Sequence, residues 1–249
     1  MGKKNCTDSK VFIVGSGKMG TAFSKLMDRK NIDYIQTDRT MPGFFEKNLK
    51  NTFLFLAVPD GAIPEMLESC LEHRLKGLRT IHFAGALSVT GKNIYLLHPF
   101  ASIEKFSDLR KILFSLWGEK DRKLEAFLTE TDLNFVRSSR KKPSKNYHTA
   151  AVITGNFVQY LIFTGMELLE DEGFSDDNAA VFIRQIVNSS LKNIMKSGLA
   201  GITGPAARGD FSTVKSEKNH LESKFPGAAK VYGIISQEIE KAVKNGNLQ

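Results

Sequence analysis

Gly15-Ser16-Gly17-Lys18-Met19-Gly20 follows directly on four apolar residues, Val11-Phe12-Ile13-Val14. Behind it Met19, Ala22, Phe23, Leu26 and Met27 recur at helical spacing. Strand, glycine turn and helix in that order are the context that a dinucleotide-binding G-x-G-x-x-G needs. Gly15 permits a tight turn, Gly17 lets the backbone approach a pyrophosphate, and Gly20 lets helix and strand pack closely. The free N–H groups at the helix start, Ser16 to Gly20, would then face phosphate oxygens. Without a ligand the same residues would be a plain strand-to-helix turn.

Alternation of strands and helices continues from there. Ile32 to Thr37 reads as a second strand ending at Asp38-Arg39-Thr40. Asp38 lies 18 residues beyond Gly20, near the distance expected of the residue that meets the adenine ribose. An acid there favours NAD, whereas Arg39 and Thr40 could grip the 2′-phosphate of NADP. Lys18 adds positive charge, and the balance leans to NADP. Thr52 to Val58 is a continuous apolar run, as expected of a parallel strand covered on both faces, and Pro59-Asp60-Gly61 breaks it. Ala57, Val58 and Pro59 fall at a strand's carboxyl end, where open α/β sheets place ligands. A helix from Ile63 to Leu71 follows, then short apolar segments at Thr80 to Phe83, Ile94 to Leu97 and Ile112 to Leu116. A helix over Leu124 to Leu128 and a strand over Asn134 to Val136 complete a doubly wound parallel sheet.

Ser138 to Lys145, SSRKKPSK, has connector composition and divides a Rossmann-like domain, 1–140, from a smaller all-α domain, 141–249. Tyr147 to Met166 carries no charged side chain. His148, Asn156 and Gln159 within it argue against a lipid-facing span, so a buried helix, at a subunit interface, is expected. Ser175 is placed to cap a further helix, with Val181, Ile186, Val187, Leu191, Ile194 and Met195 inside and Gly198 at its end. Helices over Phe211 to Leu221 and Gly227 to Lys244 follow.

Three clusters outside the turn could carry chemistry. His98, in His98-Pro99-Phe100 at the end of a strand, could donate a proton or orient a substrate oxygen. Tyr147-His148 precedes Asn156 on one helix; eight residues of α-helix put His148 and Asn156 roughly 80° apart. Tyr147 reads as structural and Asn156 as functional. In Thr203-Gly204-Pro205-Ala206-Ala207-Arg208-Gly209-Asp210, the small residues allow close backbone approach. Arg208 suits a carboxylate or phosphate, and Asp210 either caps the helix after it or pairs with Arg208.

The formal net charge of +8 in 249 residues is spread along the chain, which fits anionic small molecules and gives no nucleic-acid face. Cys6 and Cys70 are too few for a disulfide framework and lack metal spacing, so no metal is expected and a reducing cytoplasm suits them. Cys70 falls on the apolar face of its helix. Met1 to Lys10 has no apolar stretch of signal-peptide length.

The stretches Val14 to Gly20, Ala57 to Asp60, His82 to Leu87, His98 to Phe100, Tyr147 to Asn156 and Thr203 to Asp210 together resemble a bacterial family of two-domain oxidoreductase-like proteins. These join a Rossmann-like nucleotide domain to a helical domain akin to the carboxyl-terminal domain of 6-phosphogluconate dehydrogenase. More distantly the chain is similar to pyrroline-5-carboxylate reductase and ketopantoate reductase. In the former, the loop at Thr203 to Gly209 reads threonine, serine, proline, two glycines, two threonines. Here Thr203 and Pro205 are kept, with alanines and Arg208 in place of the glycines and the next threonine, which counts against reduction of a proline precursor. The resemblance implies NADP or NAD as cofactor and a homodimer through the helical domain. The resulting expectation is hydride transfer involving a small, anionic carbonyl or imine compound, with His98, Asn156, Thr203 and Arg208 as catalytic candidates, no membrane and no nucleic acid. A non-catalytic dinucleotide-binding or redox-sensing protein is the other reading.

Overall fold

In the computed structural model, which describes residues 10–38, 51–72 and 77–246, the apolar run at the start becomes β1 (Lys10–Val14). The other strands are β2 (Tyr34–Thr37), β3 (Thr52–Leu56), β4 (Leu78–His82), β5 (Ile94–Pro99), β6 (Leu113–Trp117) and β7 (Asn134–Arg137). They form one seven-stranded sheet in the order β2-β1-β3-β4-β5-β6-β7. Helices α1 (Lys18–Arg29), α2 (Ile63–Glu72) and α3 (Arg122–Glu130) connect strands. Arg39, Thr40, Cys6 and the side chain of Cys70 lie outside what is described.

Strand alternation sorts the core into two layers. Val11, Ile13, Phe53, Phe55, Tyr95 and Leu97 face one side, where Phe23, Leu26 and Met27 of α1 and Leu124, Phe127 and Leu128 of α3 cover them. Phe12, Val14, Leu54 and Leu56 face the other, against Ile63 and Leu67 of α2. Helices on both faces make the sheet doubly wound, as expected. Every residue of β3 is buried, which explains its unbroken apolar sequence.

The parallel sheet expected is found, with one antiparallel pairing in it. Strands β2, β1, β3, β4 and β5 are mutually parallel, but β6 pairs antiparallel with β5, and β7 runs parallel to β6. Between β5 and β6 the chain forms only the 3-10 turn Leu109–Lys111, with no crossover helix to carry it back to the starting edge. It therefore returns beside β5 in the opposite direction, pairing His98 with Ser115 and Leu96 with Trp117.

Two compact units emerge, Met1–Asn156 and Phe157–Gln249, so the first runs past the expected division at 140/141. The connector is tied down: Ser88 Oγ donates to the Pro143 carbonyl at 2.9 Å and Thr90 Oγ1 to that of Lys141 at 3.0 Å. Beyond it come α4 (Lys145–Ala151), a π-helical turn (Val152–Phe157) and α5 (Val158–Asp171). The second unit continues with α6 (Asp176–Ser197), a single turn α7 (Pro205–Arg208), α8 (Phe211–Lys224) and α9 (Pro226–Asn245).

The uncharged helix is not buried within the chain. The stretch Lys145–Asp171 is long and apolar enough to cross a membrane by length and composition alone, yet no residue of α4, the π turn or α5 is buried, and Phe163 is 60% exposed. Val181, Ile186, Leu191, Ile194 and Met195, expected inside, are likewise exposed on α6. The periodic pattern identified a helix correctly, but periodicity does not say what covers its apolar stripe. Ser175 does occupy the N-cap of α6, without a side-chain capping bond, and Gly198 ends it at φ 56°.

Gly20 is held at the start of α1 by lack of space. A Cβ there would collide with the carbonyl oxygen of Gly15, a backbone atom that cannot swing aside. Helix propensity favours alanine over glycine by about 1 kcal/mol, whereas overpacking costs about 1–3 kcal/mol, and rigid surroundings put this site at the upper end. Gly20→Ala should therefore lose about 1–2 kcal/mol of net stability in urea unfolding. An unchanged or raised midpoint would show that the turn can relax.

Candidate active site

The turn between β1 and α1 is built by exclusion. Gly15 has φ 111°, a left-handed conformation, and a Cβ on it would run into the carbonyl group of Ala57. The Gly15 N–H donates to the Thr37 carbonyl at 2.8 Å, and the Gly15 carbonyl accepts from Gln36 Nε2 at 2.8 Å. Ala57 N donates to the Val14 carbonyl at 2.7 Å, joining the carboxyl ends of β1 and β3. The strand order reverses direction around β1, where open α/β sheets leave a ligand crevice.

Gly17 differs from its neighbours. It is the N-cap of α1 at φ −66°, an ordinary conformation, and a Cβ on it would meet nothing within 4 Å. Gly17 brings no side chain to cap this helix start, and no side-chain capping bond is found there among the described residues. A helix start left without such a cap, with open space at the Gly17 Cβ position, suits a diphosphate. Asp38, just past β2, accepts a hydrogen bond from Ser16 Oγ at 2.6 Å. A carboxylate fixed there can accept from a ribose hydroxyl. Lys18 Nζ lies 2.7 Å from Glu104 Oε1, both side chains mostly exposed, so its charge is offset locally. Met19 packs against the core, Val58 is partly buried against the α2 layer, and Pro59 is exposed after β3.

A second feature of the same unit is a cleft of about 320 Å³ lined by His98, Phe100, His148, Thr154, Gly155 and Asn156 among others. It brings together His98 and Asn156, two of the residues singled out from sequence. The α-helical angle between His148 and Asn156 does not apply, because Asn156 sits within the π-helical turn, which winds more slowly. Such turns recur at functional sites.

His98 is half-buried at the end of β5, and its Nδ1 lies 2.8 Å from Tyr147 Oη. Tyr147 Oη in turn lies 2.5 Å from Ser115 Oγ, which accepts from Trp117 Nε1 at 2.9 Å. Burial chiefly, then the neighbouring His148 and His82, lowers the His98 pKa to about 4, so the ring is neutral at physiological pH. A Cβ on Gly85 would collide with His98 Nε2, so glycine makes room for the ring. His82, wholly buried, lies 2.7 Å through Nε2 from the Val89 carbonyl, and burial lowers its pKa too.

Sequence reasoning did not find Ser115, Trp117 or Gly85, and it read Tyr147 as structural. The one signal for Ser115 was a hydroxyl in an otherwise apolar strand, Leu113-Phe114-Ser115-Leu116-Trp117.

Thr203 and Arg208 belong to the second unit, and both are exposed. Gly204 at φ 108° and Gly209 at φ 74° bracket the single turn α7. Of the two roles offered for Asp210, capping is the one observed. It accepts from Thr213 N at 3.1 Å, Thr213 Oγ1 at 2.7 Å and Ser212 Oγ at 2.8 Å, and these bonds hold its pKa below the usual carboxylate value. Among the described residues no ion pair joins it to Arg208. No group of three or more His, Cys, Asp or Glu side chains suited to a metal occurs among the described residues.

The mostly parallel sheet, its glycine turn and the helical unit after it define a Rossmann-like architecture with an all-α partner. Known proteins share it. The profile of a domain of unknown function, DUF2520, matches residues 118–239. A Bacteroides fragilis protein provisionally classed as an NADP oxidoreductase has TM-score 0.70 at 18% identity, over 94% of this chain and 98% of its own. An Aspergillus terreus reductive aminase, solved with NADPH and ethyl levulinate, gives 0.63 at 15% over 97% and 96%. A Plasmodium falciparum pyrroline carboxylate reductase with NADP bound gives 0.55 at 16% over 94% and 98%. No curated protein sequence matches. The resemblance read from the sequence thus holds at the level of fold.

Proposed function

We propose that this protein is an NAD(P)-dependent oxidoreductase acting on a small carbonyl or imine compound. The observation that carries the proposal is the uncapped start of α1 at Gly17, open to a ligand while Gly15 and Gly20 are closed to any side chain. Fold neighbours whose structures contain NADP or NADPH support it. Bound nicotinamide would supply or accept the hydride. Gly15 to Gly20 would hold the diphosphate and Asp38 the adenine ribose. Arg39 and Thr40 would read a 2′-phosphate, and Ala57 to Pro59 would flank the ligand crevice.

His98 would give a proton or hydrogen bond to the reacting oxygen or nitrogen, and Asn156, on the same cleft, would orient it. Thr203 and Arg208 are proposed for substrate recognition on their own chemistry, an exposed hydroxyl and an exposed guanidinium suited to an anionic group. We propose a reducing, cytoplasmic setting on the ground that two cysteines are too few for a disulfide framework.

The exposed apolar side chains of α5 and α6, Phe163, Val181, Ile186, Leu191 and Met195 among them, support a homodimer through the helical unit. Sedimentation should give twice the chain mass, and Ile186→Asp should shift it toward the monomer; a monomeric wild type would refute this.

Catalysis is tested by NAD(P)H absorbance change against keto acids and cyclic imines. With a turned-over substrate, His98→Ala should lower kcat by about 10²-fold or more while leaving cofactor Kd nearly unchanged. Lost cofactor affinity with normal turnover would contradict the role of His98. Binding without turnover across the panel would favour a dinucleotide sensor.

A further inference from the structure

Trp117, Ser115, Tyr147 and His98 form a hydrogen-bonded row whose direction can be worked out from its ends. The antiparallel register sets His98 opposite Ser115, and Trp117, two residues on, shares the face of Ser115. Tyr147, from the first turn of α4, drops its hydroxyl between Ser115 Oγ at 2.5 Å and His98 Nδ1 at 2.8 Å. Its ring stands edge-on to those of His98, Phe100 and Trp117, at centroid distances of 5.4, 5.7 and 5.0 Å, which limits its freedom to turn away.

An indole N–H can only donate, so Ser115 Oγ accepts from Trp117. Ser115 has one proton left to give, and its remaining neighbour in the row is Tyr147 Oη. If Ser115 donates to Tyr147, the tyrosine proton goes to His98 Nδ1 and every hydroxyl proton has an acceptor. In the reverse direction Nδ1 would donate to Tyr147 and Tyr147 to Ser115. The serine proton would then lack an acceptor in the row, which disfavours that direction.

We infer that the Trp117–Ser115–Tyr147 row fixes His98 as the neutral imidazole protonated on Nε2, so that Tyr147 and Ser115 are positioning residues and His98 offers a hydrogen bond rather than the proton of an imidazolium. Nε2 is the atom for which Gly85 leaves room. The charged and titratable groups acting on His98 agree with a neutral ring. His148, 6.2 Å away between centroids, and His82 both oppose a positive charge, and no carboxylate is among the groups that shift it. A neutral N–H donor suits an oxygen or nitrogen that gathers negative charge during reaction, because it need not be reprotonated between turnovers. That use rests on the oxidoreductase reading; the tautomer does not.

The test is a long-range ¹H–¹⁵N correlation spectrum of the ¹⁵N-labelled full chain, with the His98 ring identified by its loss in His98→Gln. From about pH 7 down to about pH 5, Nε2 should show the shift of a protonated nitrogen and Nδ1 that of a bare one, without titrating. In Tyr147→Phe, and in the milder Ser115→Ala, the two shifts should move toward each other and titration should begin at higher pH. An Nδ1–H tautomer or a charged ring at about pH 7 in the wild type would overturn the inference. So would folded variants whose His98 signals match the wild type. Since no cofactor or substrate is used, failure here is distinct from failure to bind a dinucleotide.

Discussion

The approach of α1 to the ends of β1 and β3 is too close for side chains. Gly15 has the Ala57 carbonyl where its Cβ would be, and Gly20 has the Gly15 carbonyl. Two missing Cβ atoms thus set the angle at which the helix leaves the sheet. The buried face of α1, with Phe23, Leu26 and Met27, then settles on Phe53 and Phe55, and the rings of Phe23 and Phe55 meet at 4.3 Å. With that packing fixed, the helix start points out of the sheet, and Gly17 is left with open space and no cap. The tight packing and the open helix start come from the same close contact but rest on different glycines.

The histidine cleft depends on a different device. Had β6 continued the parallel sheet, it would have needed a crossover and could not have placed Ser115 opposite His98. Reversal at β5 does so within one hairpin-like return, and the same register puts Trp117 one step further on the same face. Tyr147 closes the row from the first turn of α4, where the connector is already anchored through Ser88 and Thr90. The π-helical turn carrying Asn156 follows within the same helical run.

Much of the first unit was legible in the sequence because its signals are local. A fully buried strand such as Thr52–Leu56 writes itself as an apolar run, and the glycine turn writes its geometry as glycines. The direction of β6 was not legible. Parallel and antiparallel neighbours present the same apolar alternation, and only the missing helix between Phe100 and Ile112 hinted at reversal. For the same reason His98 could be picked out by its place at a strand end, whereas Ser115 and Trp117, which act through pairing register, could not. Apolar stripes on α5 and α6 announced helices but not what covers them. Asn156 was found for its residue type, by a helical angle that the π turn makes inapplicable.

The measurement that bears most directly on this account is titration calorimetry of the purified chain with NADP, NADPH, NAD and NADH, beside Gly17→Val. The account predicts saturable heat with at least one of these nucleotides. It also predicts a variant that still unfolds cooperatively, because its new side chain enters open space, but has lost that heat because the same space belongs to the diphosphate. No heat with any of the four, or a folded variant that binds as the wild type does, would contradict it.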